Sequence, residues 1–219
     1  MRVVELACDA IIFDLDGVLI DSSTVVERHW RRWAERHGIE YARISAVMHG
    51  RRSAETVAIV APHLEADREA REMEAGEAID TSGLRVLDGA SVLLNSLPAE
   101  RWGIATSGTL ITATTRLRFG GLPIPSALVT ADDVRRGKPH PDAFLLVSER
   151  LGVAPPACVV VEDAPAGLAA AHAAGMRTIA VLTTHTAAAL TTAALIVPRI
   201  ASLDVRQRRD WLAITAPSA

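Results

Sequence analysis

No apolar run in this sequence approaches the ~20 residues that a membrane-spanning helix needs. An integral membrane protein is therefore not expected. An excess of positive charge is missing too, with 23 Lys and Arg against 26 Asp and Glu and a net charge of −3. A mildly acidic chain lacks the basic footprint of a nucleic-acid binder. Cysteine is scarce, with Cys8 and Cys158 alone. Each borders a hydrophobic run, so buried free thiols in a reducing cytoplasm are expected rather than a disulfide. The opening MRVVELACDA is too short and too acidic to read as a secretory signal. Repeats are absent, and the Ala/Thr-rich TTHTAAALTTAAL is the one low-complexity stretch. What is present is 219 residues, 49% of them hydrophobic, enough for one core domain with or without an insertion. A cytoplasmic monomer is the expectation.

Short apolar runs rich in β-branched residues recur along the chain: AIIFD, WGIAT, SALVT, CVVVED, RTIAVL and ALIVP. Helical patterns such as PDAFLLVSERLGV and PAGLAAAHAAGM separate them, the second ending at Gly175. This alternation predicts an α/β fold with a parallel sheet covered on both faces. Residues 22–85 break the alternation. They hold three helical patterns and no strand, with Gly38 and Thr81–Gly83 as breaks. The predicted organisation is a Rossmann-like core of residues 1–21 and 86–219 with an inserted all-helical cap at 22–85. Two ordinary crossover helices are the plainer alternative.

In open parallel sheets, ligands sit beyond the carboxyl ends of the strands. Four such ends carry polar groups here: Asp14 and Asp16, Thr106 and Ser107, Lys138, and Glu162 with Asp163. Singly, each has an ordinary reading as a helix cap, a turn or a solvated lysine. Jointly they complement one another. A hard divalent cation such as Mg2+ takes oxygen ligands and bridges carboxylates to phosphate. One carboxylate can attack phosphorus, and a second can protonate the leaving alcohol and then activate water. A lysine with hydroxyl and N–H donors can hold the equatorial phosphate oxygens. The partner implied is a small-molecule phosphate ester.

In this order, FDLDGVLIDS, ATSGT, GKPHPD and VEDAPAG resemble the four motifs of the haloacid dehalogenase superfamily. The resemblance spans nearly the whole chain and implies a Rossmann-like core with a cap inserted after the first motif. It implies Asp14 as nucleophile and Mg2+ ligand. Asp16 would be the general acid/base and would lend its backbone carbonyl to the metal. Thr106, the Ser107 backbone and Lys138 would hold phosphate, with Lys138 balancing Asp14. Asp163 would ligate Mg2+, with Glu162 a direct or water-mediated partner. Dehalogenases of the superfamily lack the second aspartate, because a halide leaves without a proton. Asp16 therefore implies a phosphate ester.

Within the cap, HGRRS at His49–Ser53 is similar to the glycerol-phosphate and 2-deoxyglucose-6-phosphate phosphatase group. That likeness implies Arg52 as a substrate contact and His49 as a second one. A planar guanidinium suits a phosphate or paired hydroxyls. Arg51 is expected to point elsewhere if the segment is helical. Trp30 and Trp33 are expected to pack the cap's own core, and EADREAREMEAGEAID to be its solvated face. DVRQRRDWLAITAPSA carries no readable motif.

A closing cap leaves room only for small substrates, so a sugar or polyol phosphate phosphatase is the reading. The alternative enzyme is a sugar phosphomutase resembling β-phosphoglucomutase. In that group a histidine follows the aspartate matching Asp21 on the first cap helix. Its place falls on Val26, with His29 nearly one turn further on. A phospho-accepting receiver domain shares acids, a hydroxyl and a lysine, but is much shorter and has no inserted cap.

Overall fold

The computed structural model of the protein describes residues 3–217. Strand β1 (Val3–Cys8) runs into β2 (Ala10–Phe13), whose four side chains are all buried. Burial on both faces is what a continuous apolar run requires of a central parallel strand. Beyond β2 the chain forms β3 (Ile20–Asp21) and then α1 (Ser23–His37), α2 (Tyr41–Ser45), α3 (Ser53–Val60) and α4 (Ala66–Glu77). It returns through β4 (Arg85–Val86), which pairs antiparallel with β3. Helix α1 stops at Gly38, whose left-handed φ of 64° closes the last turn. These helices have an apolar core of their own, centred on Trp30, Trp33, Ile44, Val57 and Met73. Trp30 and Trp33 meet edge to face at 5.5 Å, the packing role the sequence assigns them.

The remaining elements are α5 (Ala90–Ser96), β5 (Trp102–Ala105), α6 (Leu110–Phe119), β6 (Leu128–Val129), α7 (Asp142–Leu151), β7 (Cys158–Glu162), α8 (Pro165–Ala173), β8 (Arg177–Val181) and β9 (Leu195–Val197). A six-stranded sheet forms in the order β6-β5-β2-β7-β8-β9, and each of its pairings is parallel. Its strands are the six apolar runs read from the sequence. Alternate residues divide between two faces. Ile11, Phe13, Val159 and Val161 belong to the cluster that also holds Leu94 and Leu117 of α5 and α6. Ile12 and Val160 pack with Phe144 of α7 and Ala171 of α8. The fold is α/β, with a Rossmann-like core and a helical insertion after its first parallel strand.

A second sheet was not expected. Strands β10 (Asp204–Gln207) and β11 (Leu212–Pro217) join β1 in the antiparallel order β1-β11-β10. The segment without a readable motif is thus structural, burying Leu212, Ile214 and Ala216 in the core. Cys8 and Cys158 are buried free thiols. Burial pushes them up to about 12 and about 11, respectively.

Candidate active site

Asp14 follows β2, Thr106 follows β5, and Glu162 ends β7 with Asp163 next in line. Lys138 enters from the loop after β6, ahead of a cis peptide to Pro139. Its Nζ donates to Asp14 Oδ1 at 2.6 Å and to Glu162 Oε1 at 2.7 Å. The other Glu162 oxygen accepts from the backbone N–H groups of Asp163 and Ala164 at 2.7 and 2.8 Å. Asp14, Lys138, Glu162 and Asp163 are all buried.

One ammonium therefore faces three carboxylates. Burial drives Asp14 up to about 7; Lys138 pulls against this, while Glu162 and Asp16 add to it. Burial, Glu162 and Asp14 likewise hold Asp163 well above the usual carboxylate range. On Lys138 burial opposes the charge, but Asp14 and Glu162 outweigh it and the pKa rises. Carboxylate oxygens of Asp14, Glu162 and Asp163 lie within 4.8 Å of one another. Uncompensated negative charge at that spacing forms a cluster that could hold a hard metal ion. Gly17 allows the loop to press this close. Its φ is +78°, and a Cβ there would stand 1.9 Å from Asp163 Oδ2.

Asp16 stands apart from that cluster. Its Oδ1 accepts from Ser22 Oγ at 2.7 Å and its Oδ2 from Arg116 Nη1 at 2.6 Å. The second arm of Arg116 donates to Glu77 Oε1 at 2.5 Å, reaching from core helix α6 to helix α4. Burial works against the Arg116 charge, but Asp16 and Glu77 prevail and raise its pKa. The acidic α4 is therefore not simply a solvated face. The Glu77 side chain is only 10% exposed, and Glu69 is buried, accepting from Trp33 Nε1 at 3.1 Å.

Asp14, Asp16, Thr106, Ser107 and Asp163 line one cavity of about 120 Å3 between sheet and helices. Thr106 Oγ1 accepts from the Gly108 N–H at 3.1 Å, and Ser107 Oγ donates to the Gly50 carbonyl at 2.9 Å. His49 lines the cavity as well, its ring edge to face with His185 at 5.3 Å. Burial, then His185, pushes His49 below its usual pKa.

The two arginines of HGRRS exchange places relative to expectation. Arg51 lines the cavity, whereas Arg52 donates to the carbonyls of Val134 and Arg135 at 3.4 and 3.0 Å. Helix α3 begins only at Ser53, and Arg52 has extended backbone (φ −71°, ψ 146°). The helical projection that excluded Arg51 does not apply to this loop.

Four further residues of the site escape sequence reasoning. Thr184 Oγ1 donates to Asp163 Oδ2 at 2.5 Å, and His185 follows it. Both lie just past β8, so their signal was a strand end that reads as Ala/Thr-rich sequence. Arg116 and Glu77 offered no local signal, because their partners lie far along the chain.

Buried carboxylates at the carboxyl edge of a parallel sheet, beneath a helical insertion, mark the candidate site of a capped α/β protein. A family model for haloacid dehalogenase-like hydrolases matches residues 8–175, and the chain belongs to that family. It is 45% identical over 181 residues to hexitol phosphatase A of Escherichia coli (strain K12), covering 80% of this chain and 84% of that one. Glycerol-1-phosphate phosphohydrolase 2 of Saccharomyces cerevisiae is 34% identical over 194 residues, 82% of this chain and 76% of that one. A solved structure of β-phosphoglucomutase from Clostridium difficile superposes with a TM-score of 0.76 at 25% identity, covering 90% of this chain and 93% of that one.

Proposed function

We propose that this hydrolase is a Mg2+-dependent phosphatase of a small sugar or polyol phosphate, acting through an aspartyl-phosphate. The observation that carries the reading is the contrast between its two neighbouring acids. Asp14 is buried against Lys138 and Asp163, while Asp16 is held separately at the same cavity. The first would serve as a nucleophile beside the Lys138 ammonium, and the second as a proton carrier for the alcohol. Relatives named for hexitol and glycerol-1-phosphate support the polyol class.

Asp14 would attack phosphorus, and Asp16 would protonate the leaving alkoxide and later activate water. Lys138, Thr106 and the Ser107 backbone would hold the phosphate oxygens. Asp14, Asp163 and the Asp16 carbonyl would hold Mg2+, which supplies charge neutralisation for the phosphate. Both Glu162 oxygens are already engaged, which suits a water-mediated role. His49 and Arg51, which line the cavity, would meet the sugar or polyol, and Arg52 would fasten the cap loop to the core.

Residues 22–85 would move as the cap over a core of 1–21 and 86–219. The pairing of Ile20–Asp21 with Arg85–Val86 lies where the chain crosses between them. Two buried free thiols fit a reducing, cytoplasmic setting, and a monomer is the proposed state. Among the described residues, no helix is long and apolar enough to cross a membrane.

The likeness to a β-phosphoglucomutase keeps a phosphomutase as the second reading. Against it, Val26 lines the cavity, while His29 turns to Asp80 at 3.1 Å. The test is phosphate release from glycerol, hexitol and hexose phosphates and β-glucose 1-phosphate, with and without Mg2+. Mg2+-dependent release from a polyol or sugar ester is expected. Glucose 6-phosphate formed without free phosphate would establish the mutase instead.

A further inference from the structure

Arg116 has no part in the chemistry described so far, yet it is 4% exposed and faces the cavity. Its Nη1 lies 2.6 Å from Asp16 Oδ2, and its Nη2 lies 2.5 Å from Glu77 Oε1. Ser22 Oγ, just ahead of α1, holds the other Asp16 oxygen at 2.7 Å. Donors from two buried neighbours thus hold both oxygens of one carboxylate. Each oxygen retains a second lone pair for a ligand, and Asp16 itself borders the cavity. The guanidinium reaches its two carboxylates through separate nitrogens of one planar fork, which fixes the direction of each bond in a way that a point-charge ammonium at the same place would not.

We propose that Arg116 is a positioning residue that aims the Asp16 carboxylate at the leaving oxygen. Glu77 holds the guanidinium from the cap side, so the clamp is complete only when the cap covers the cavity. This rests on the phosphatase reading, in which Asp16 delivers a proton to the alkoxide as the phosphorus–oxygen bond breaks. A merely structural Arg116 would tie α6 to α4 and affect every substrate alike.

The leaving group separates the two roles. With a covalent intermediate, kcat/KM reports only the steps up to departure of the first product. An alkoxide needs a proton at that point, whereas p-nitrophenolate leaves without one. In Arg116→Gln, kcat/KM for glycerol or hexitol phosphate should fall about 100-fold, and that for p-nitrophenyl phosphate by no more than about 3-fold. Arg116→Lys should recover part of the alkyl-ester loss. If Arg116→Gln fails to fold, Arg116→Gln/Glu77→Gln removes the stranded cap carboxylate and should show the same selectivity, with thermal melting as the check.

Equal losses on both esters, or no loss on either, would overturn the proposal. Asp16→Asn measured alongside separates this failure from failure of the phosphatase reading. If Asp16→Asn is ester-selective and Arg116→Gln is not, the positioning role falls alone. If Asp16→Asn leaves alkyl-ester hydrolysis intact, the acid assignment falls, and the role of Arg116 with it.

Discussion

Lys138 and Arg116 each bridge two carboxylates, yet the regions around them differ in charge and in where their partners come from. The lysine sits within the core, with Asp14 and Glu162 as partners and Asp163 as a third acid close by. Negative charge is in excess there, and the carboxylates Asp14 and Asp163 are forced above their usual range. The arginine has one acid from the core and one from the cap helix α4. The first arrangement invites a further cation. The second has one carboxylate fewer, and it ties core helix α6 to the inserted helix α4.

The largest expected effect comes from removing one acid of the lysine cluster. Asp14→Asn should lower turnover by on the order of 10^4-fold or more, if this carboxylate is the nucleophile. Its melting temperature should hold or rise, because repulsion from Glu162 and Asp163 is relieved while Lys138 keeps Glu162. Phosphate release and thermal melting read the two halves. Retained activity would remove Asp14 from the mechanism.

Next in size is the contrast between the two bridges in urea denaturation. Lys138→Met leaves the fully buried Glu162 without its cation and should cost about 3–5 kcal/mol. Glu77→Gln opens only the cap end of the arginine bridge and should cost roughly 1–2 kcal/mol. Equal costs would mean that the two clusters are buried alike in solution.

The third comparison is the response to pH and metal, which the lysine cluster should show and the arginine bridge should not. Asp14 rises from 3.8 to about 7 on folding. Between those values the folded chain holds a proton that the unfolded chain has released. This contribution to stability is present below the unfolded value and is lost as pH rises through the folded one. The metal-free protein should therefore lose stability, through this group, between about pH 4 and pH 7. Added Mg2+ binds the ionised carboxylates, so its stabilisation should be larger at about pH 8 than at about pH 5. Melting temperatures with and without Mg2+ at the two pH values measure this. Stabilisation that is larger at the acidic value would argue against Asp14 as a ligand.

The core was readable because its strands are continuous apolar runs, each ending in the polar residues that the sheet edge exposes. Asp14, Thr106, Lys138 and Asp163 could be found for that reason, and they do converge. The helical insertion was readable from the missing strands between Ser22 and Arg85. Leu212–Pro217 was not, because its pattern acquires meaning only when β1 lies beside it. Arg51 and Arg52 were exchanged because adjacent side chains diverge according to backbone dihedrals, and the loop there is extended rather than helical.

By itself, then, the sequence determined the parallel sheet and the acids at its carboxyl edge. Hydrophobic periodicity and strand-end chemistry are local properties, complete within a few residues. Only the tertiary structure decided which charges meet. Arg116 lies 100 positions from Asp16 and 39 from Glu77. No local pattern could pair them, because their proximity is made by the packing of α6 against the first strand's loop and the cap. The same holds for Thr184 beside Asp163 and for His185 beneath His49.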